Sequence, residues 1–116
     1  MKRIVATSFI IFLSFLASCT GSIPMPAERH DRWAALEWPG TTHADLTEGR
    51  RLYVENCSGC HSLKSPMDYT EKQWEKNVSE MRQKAKIKDA ESQLIMKYLI
   101  TAARESDRLD TAASRE

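Results

Sequence analysis

The chain has almost no excess charge of either sign. Its 17 Lys and Arg face 16 Asp and Glu, for a formal net charge of +1. No polybasic stretch stands out, so there is no footprint for nucleic acid. Long hydrophobic runs are also missing. The longest, Ile4 to Leu16, is too short to cross a bilayer comfortably as a permanent helix. Strand-like alternation of any length is absent, which argues against a β-sheet core and for an all-α domain. Cysteine is scarce: Cys19, Cys57 and Cys60 are the three in the chain, an odd number that cannot form a closed disulfide framework.

What is present begins with a leader. Lys2 and Arg3 precede the apolar run, and Leu16-Ala17-Ser18-Cys19 closes it. A basic start, an apolar middle and small residues at the end describe a secretory signal peptide over residues 1–18. Leu-Ala-Ser-Cys resembles the bacterial lipoprotein box. That resemblance implies cleavage before Cys19, diacylation of its thiol and an anchor in the bacterial cell envelope, facing the periplasm. Two or more acyl chains hold a protein stably where one would not. Thr20 follows the cysteine instead of Asp, which by analogy with enterobacterial sorting points to the outer membrane. The alternative is an ordinary cleaved signal with an incidental cysteine. Removing residues 1–18 takes the net charge from +1 to about −1, because Lys2 and Arg3 leave and no acid does.

Residues 19–45 read as a lipid-anchored linker, broken by Gly21, Pro24, Pro26, Pro39 and Gly40. Trp33, Ala34, Leu36 and Trp38 are the exception. They suit a short turn resting on the domain or in the lipid interface, where tryptophan is favoured. Residues 46–104 carry the helical signals. Residues 105–116 are polar, with little apolar content, and read as a frayed or disordered tail.

The chemistry is concentrated in Cys57-Ser58-Gly59-Cys60-His61. This is the C-x-x-C-H pattern of covalent haem attachment. Two thiols three positions apart add to the two vinyl groups of one porphyrin, and the adjacent histidine gives the iron a proximal imidazole. A thioredoxin-like dithiol needs a preceding strand and no fixed histidine. A zinc site needs four ligands in tetrahedral array, which neighbouring Cys60 and His61 suit poorly. A disulfide remains the plain alternative for two cysteines in an exported protein. With Cys57 and Cys60 on haem and Cys19 on lipid, all three cysteines have a role.

Three main helices follow from the pattern. Thr47 is placed to cap the first, from about Glu48 to Asn56, with Gly49, Tyr53 and Cys57 four apart on one face. Thr70 and Gln73 form a capping box for the second. Trp74, Val78, Met81 and Ala85 give that helix one apolar stripe, opposite Lys72, Glu75, Lys76, Asn77 and Glu80. Asp89 caps the third, about Ala90 to Arg104, whose apolar face is Leu94, Ile95, Tyr98, Leu99 and Ala102.

The run Gly49-x-x-x-Tyr53-x-x-x-Cys57-x-x-Cys60-His61 resembles the start of class I cytochromes c. That resemblance implies a cytochrome c-like fold, one covalent haem c, and a glycine at which a C-terminal helix crosses closely; Tyr98 is the natural partner of Gly49 and Tyr53. Trp74-x-x-x-Val78-x-x-Met81, a polar turn and a helix with Ile95-x-x-Tyr98-Leu99 are similar to small monohaem cytochromes c, including haem subunits of sulfite-oxidising enzymes. There the methionine of that helix is the axial ligand, and Met81 matches it. The likeness covers about Leu46 to Ala103. Larger class I members carry the methionine on a more distant loop, which is missing here.

The sixth iron ligand decides the function. Methionine suits electron transfer, whereas an open site allows gas binding or peroxidase chemistry. Besides Met81, the candidates are Met67, Met96, His43 and His30, with Met25 in the linker. Met67 is only six residues beyond His61 and would have to cross the haem edge. Met96 lies off the main stripe and reads as core filler. His43 and His30 sit in a polar segment where histidine is ordinarily exposed. The expectation is an electron carrier, not an enzyme, serving redox protein partners, with His61 and Met81 on the iron. Lys64, Lys72, Lys76 and Lys84 are candidates for meeting an acidic partner or a plain solvated face. The alternatives are a haem sensor or peroxidase-like enzyme with an exchangeable sixth site, and a fixed haem subunit of a larger oxidoreductase.

Overall fold

A computed structural model describes residues 23–57 and 63–114, with backbone alone for 105–113. Four α-helices follow in order: α1 (Glu28–Glu37), α2 (His43–Cys57), α3 (Glu71–Ala85) and α4 (Asp89–Ala113), with a 3₁₀ turn at Pro66–Asp68 before α3. No strand occurs among the described residues. The fold is all-α, as the patterning requires.

Helix α4 is the scaffold against which α1, α2, α3 and the 3₁₀ turn pack. Its tightest contact is with α2, at Gly49. A Cβ placed on Gly49 would collide with the Leu94 carbonyl oxygen and lie 3.0 Å from Tyr98 Cβ. Only a residue without a side chain lets the two backbones approach so closely. The expected crossing of Gly49 with the last helix is therefore present, and Tyr98 and Leu46 beside it are almost fully buried.

The start of α2 differs from expectation. Thr42 and Asp45 cap it reciprocally: the Asp45 carboxylate accepts from the Thr42 N–H at 2.8 Å, and the Thr42 hydroxyl accepts from the Asp45 N–H at 3.3 Å. Thr47 is interior to the helix, and its hydroxyl oxygen is buried without a hydrogen-bond partner. The capping box on α3 is as the sequence predicts. The Thr70 hydroxyl accepts from the Gln73 N–H at 3.3 Å, and the Gln73 side-chain oxygen from the Thr70 N–H at 2.9 Å. Lys86 ends α3 in the left-handed region, with φ 54°.

Two segments expected to lack structure have it. Within the 19–45 linker, α1 forms and lies on α4. Trp33 and Trp38 meet edge to face at 5.4 Å, and the Arg104 guanidinium stacks 3.9 Å over Trp33. Arg104 also donates to Glu71 at 2.5 Å, so one side chain joins α1, α3 and α4. The tryptophans thus rest on the domain. Pro24, Pro26, Pro39 and Gly40 flank the helix, where chain breakers are tolerated. At the other end, α4 runs to Ala113 through most of the expected 105–116 tail. Glu105, Arg108, Leu109, Ala112 and Ala113 are good helix formers, and the helix continues through Ser106, Asp107, Asp110 and Thr111 between them.

Candidate functional site

Helix α3 packs on α4 but stands away from α2, and a cavity of about 310 Å³ opens among the three helices. Helix α2 contributes Tyr53 and Cys57 to its wall; α3 contributes Trp74, Val78 and Met81; α4 contributes Ile95 and Leu99. Leu63, Tyr69 and Ile87 complete the apolar lining, while Lys64, Asn77, Glu80 and Lys84 supply polar groups. The spacing of 74, 78 and 81 turns one face of α3 inward. Ala85, expected on the same stripe, is exposed as the last residue of the helix.

Two buried donors hold the segment that follows the C-x-x-C-H motif. The Tyr53 hydroxyl donates to the Lys64 carbonyl at 2.7 Å. The Trp74 indole N–H donates to the Pro66 carbonyl at 2.7 Å. Helices α2 and α3 thus each fasten one carbonyl of residues 64–66. The three rings are themselves joined: Tyr53 meets Trp74 at 5.9 Å and Tyr69 meets Trp74 at 5.0 Å, both edge to face. Tyr69 precedes the Thr70 cap and Trp74 is four residues after it, which is a hydrophobic staple. Burial, with the neighbouring Cys57 as a second cause, pushes the Tyr53 phenol up to about 12. It is therefore a neutral donor over the whole physiological range.

Of the residues singled out in the sequence, Cys57 and Met81 share this cavity. Cys57 is half-buried at the end of α2 as described, and Met81 is half-buried on α3. Cys60, His61 and Cys19 lie outside the described residues. The other ligand candidates are elsewhere. Met67 is exposed on the 3₁₀ turn, Met25 is exposed before α1, and Met96 packs against the core. His43 begins α2 at the surface, its Nδ1 2.9 Å from the Asp31 carboxylate. His30 is buried in α1, its Nδ1 accepting from the Ala27 N–H at 3.0 Å. Neither histidine lines the cavity. The sequence reading missed Leu63, Tyr69 and Ile87 as wall residues; of these only Tyr69 carried a local signal, the staple.

The walls suit a flat apolar group better than a bare ion. Among the described residues no group of three His, Cys, Asp or Glu side chains could hold a metal. The sulfur atoms offered are one thiol and one thioether, the first suited to covalent attachment and the second to soft axial ligation of haem iron. The volume is at the lower end of ligand sites, roughly 300–1,000 Å³. An all-α domain in which a motif-bearing helix ends on such a cavity is the design of a c-type cytochrome. Residues 53–115 match the dihaem cytochrome c family, to which this chain belongs. Its cofactor is thus haem c and its class that of electron-transfer proteins. The family description names two haems, where the sequence reading expects one. Neither the curated proteins nor the solved structures gave a match.

Proposed function

We propose that the chain is a membrane-anchored electron carrier with one covalently bound haem c in these 116 residues. The single observation that carries this reading is the meeting of Cys57 and Met81 on one apolar cavity. Cys57 and Cys60 would form the thioethers, His61 the proximal iron bond and Met81 the distal one. One haem follows from cysteine arithmetic: a second covalent haem needs a second cysteine pair, and the remaining Cys19 has no partner thiol or histidine at the required spacing. Haem iron supplies a one-electron couple, and a thioether ligand raises its potential.

The chain's own residues do the rest. Trp74, Val78, Ile95 and Leu99 line the cavity with apolar surface and would keep water from a bound haem, whose potential depends on both its axial ligands and its burial. Tyr53 and Trp74 hold residues 64–66 against α2 and α3. Redox proteins are the partners, and the leader with Leu16-Ala17-Ser18-Cys19 supports a lipid anchor at the periplasmic face of the envelope, with the outer membrane favoured. The test is Met81→Ala in the holoprotein. Loss of the near-infrared sulfur–iron charge-transfer band and a lower reduction potential are expected. Survival of both would remove Met81 from the iron, and a high-spin ferric wild type that binds cyanide rapidly would favour an exchangeable site instead.

A further inference from the structure

The strap from Ile23 to Ala27, just beyond Cys19, is fastened to the domain. The Arg50 guanidinium donates twice to the Ile23 carbonyl, at 3.1 and 2.9 Å. The Tyr98 hydroxyl donates to the Pro24 carbonyl at 2.5 Å. Ile23 is in the hydrophobic core cluster, and Pro26 is buried. Helices α2 and α4 therefore hold two successive carbonyls of the strap, while Met25 between the buried positions is 58% exposed.

Only Thr20, Gly21 and Ser22 separate Cys19 from this fixed point. At roughly 3.3–3.6 Å per extended residue, four steps reach about 14 Å at most. A free linker over 19–45 would instead give an end-to-end distance on the order of 28 Å, with far longer excursions. We infer that a lipid on Cys19 holds the domain against the membrane, with the strap edge around Ile23, Pro24 and Met25 on the headgroups and the haem cavity confined to a thin layer beside the bilayer. Met25 is the apolar side chain this edge presents, and an exposed thioether suits the headgroup–acyl boundary. Among the described residues no helix is long and apolar enough to cross a membrane, so the lipid surface meets the fold from outside. This placement rests on Cys19 being the lipidated residue, as proposed above.

The test uses the full-length holoprotein in phosphatidylcholine vesicles carrying a trace of headgroup-labelled dansyl lipid, whose emission the haem quenches by energy transfer. Intact-mass spectrometry first establishes acylation of the wild type and its loss in Cys19→Ala. A long flexible Gly/Ser insert between Ser22 and Ile23, which leaves the strap's own contacts in place, should weaken quenching by about twofold or more. Arg50→Ala combined with Tyr98→Phe should weaken it in the same direction. An acylated wild type whose quenching is unchanged by the insert overturns the placement and leaves the anchor standing. A wild type without acyl groups overturns the Cys19 reading and the placement with it.

Discussion

Helix α4 meets its two long neighbours in different ways. Against α2 it packs backbone to backbone, with Gly49 under the Leu94 carbonyl and no room for a methyl group. Against α3 it also packs, through Trp74, Val78, Ile95 and Leu99, but beside that contact a cavity of about 310 Å³ is left, with Met81 on its wall. The first contact is complete with protein atoms alone. The second encloses space that protein atoms do not fill. Packed interiors rarely keep such space without a reason, so the difference separates the frame of the molecule from its site. Rigidity at the α2/α4 crossing fixes Cys57 at the end of α2, while α3 is the wall against which a bound group would complete the packing.

The most direct way to break this comparison is Gly49→Ala. The new Cβ would fall on the Leu94 carbonyl oxygen and 3.0 Å from Tyr98 Cβ, and backbone cannot move aside as a side chain can. Overpacking typically costs about 1–3 kcal/mol and occasionally more, and a clash with backbone belongs at the upper end; denaturant unfolding of the holoprotein would read it as a lower midpoint at unchanged slope. A loss below about 1 kcal/mol would mean the crossing has slack, and the contrast with α3 would lose its force.

Trp74→Phe probes the other side. The ring stays, but the indole donor to the Pro66 carbonyl goes, leaving a buried acceptor unsatisfied. The expected destabilisation is about 1–3 kcal/mol, smaller than at Gly49, and accompanied by a change in the haem spectrum because residues 64–66 lose one of their two side-chain pins. Equal stability with an unaltered spectrum would show that the Tyr53 pin to Lys64 suffices alone.

Both regions were readable in the sequence to different depths. The spacing of Gly49, Tyr53 and Cys57 gives the crossing, because four-residue steps share a helix face whatever the surroundings. The stripe from Trp74 through Val78 brought Met81 to the cavity wall for the same reason. Contacts made at long range left no local trace. The strap is held by Arg50 and Tyr98, 27 and 74 positions away from the carbonyls they bind. Its prolines therefore looked like a tether. Helix α1 was hidden between the same breakers that delimit it. Thr42 and Asp45 were passed over as the cap of α2 because Thr47, closer to the apolar positions, offered the same side chain. The length of α4 escaped because its last turns mix strong helix formers with Ser106, Asp107, Asp110 and Thr111 and have no apolar stripe.

Alkaline pH sharpens the comparison, since one tyrosine lies in each region. Tyr98 sits at the crossing and Tyr53 on the cavity wall; burial raises both phenols above the ordinary value of 10.0, Tyr53 to about 12. In each case the folded chain holds the proton more tightly than the unfolded chain. Their contribution is thus intact below about pH 10 and is lost as pH climbs toward the folded values, at about 1.4 kcal/mol per pH unit for each group. If Cys57 forms a thioether, as proposed, its charge is gone and the Tyr53 shift rests mainly on burial. Denaturant midpoints measured between about pH 9 and about pH 11 should fall with pH, and Tyr53→Phe and Tyr98→Phe should each flatten the slope. A variant that leaves the slope unchanged would show that its tyrosine is more hydrated than its place in the fold implies.

The smallest effect belongs to the end of α3, where Lys86 takes φ 54° and Ile87 turns back, its N–H donating to the Arg82 carbonyl at 3.1 Å. A side chain in the left-handed region costs on the order of 1 kcal/mol that glycine avoids. Lys86 is exposed, so Lys86→Gly removes little packing and should stabilise the holoprotein by about 0.5–1 kcal/mol, raising Tm by a few degrees. The substitution lies just past the cavity-lining Lys84 and just before Ile87, so it also reports on how firmly the open wall is set. If α3 is held in place mainly by what fills the cavity, the gain should shrink when the haem is absent, because the loosened helix no longer imposes that backbone angle. An equal gain with and without haem would mean that α3 is as firmly seated as α2, and that the standing-off of α3 is a property of the protein frame itself.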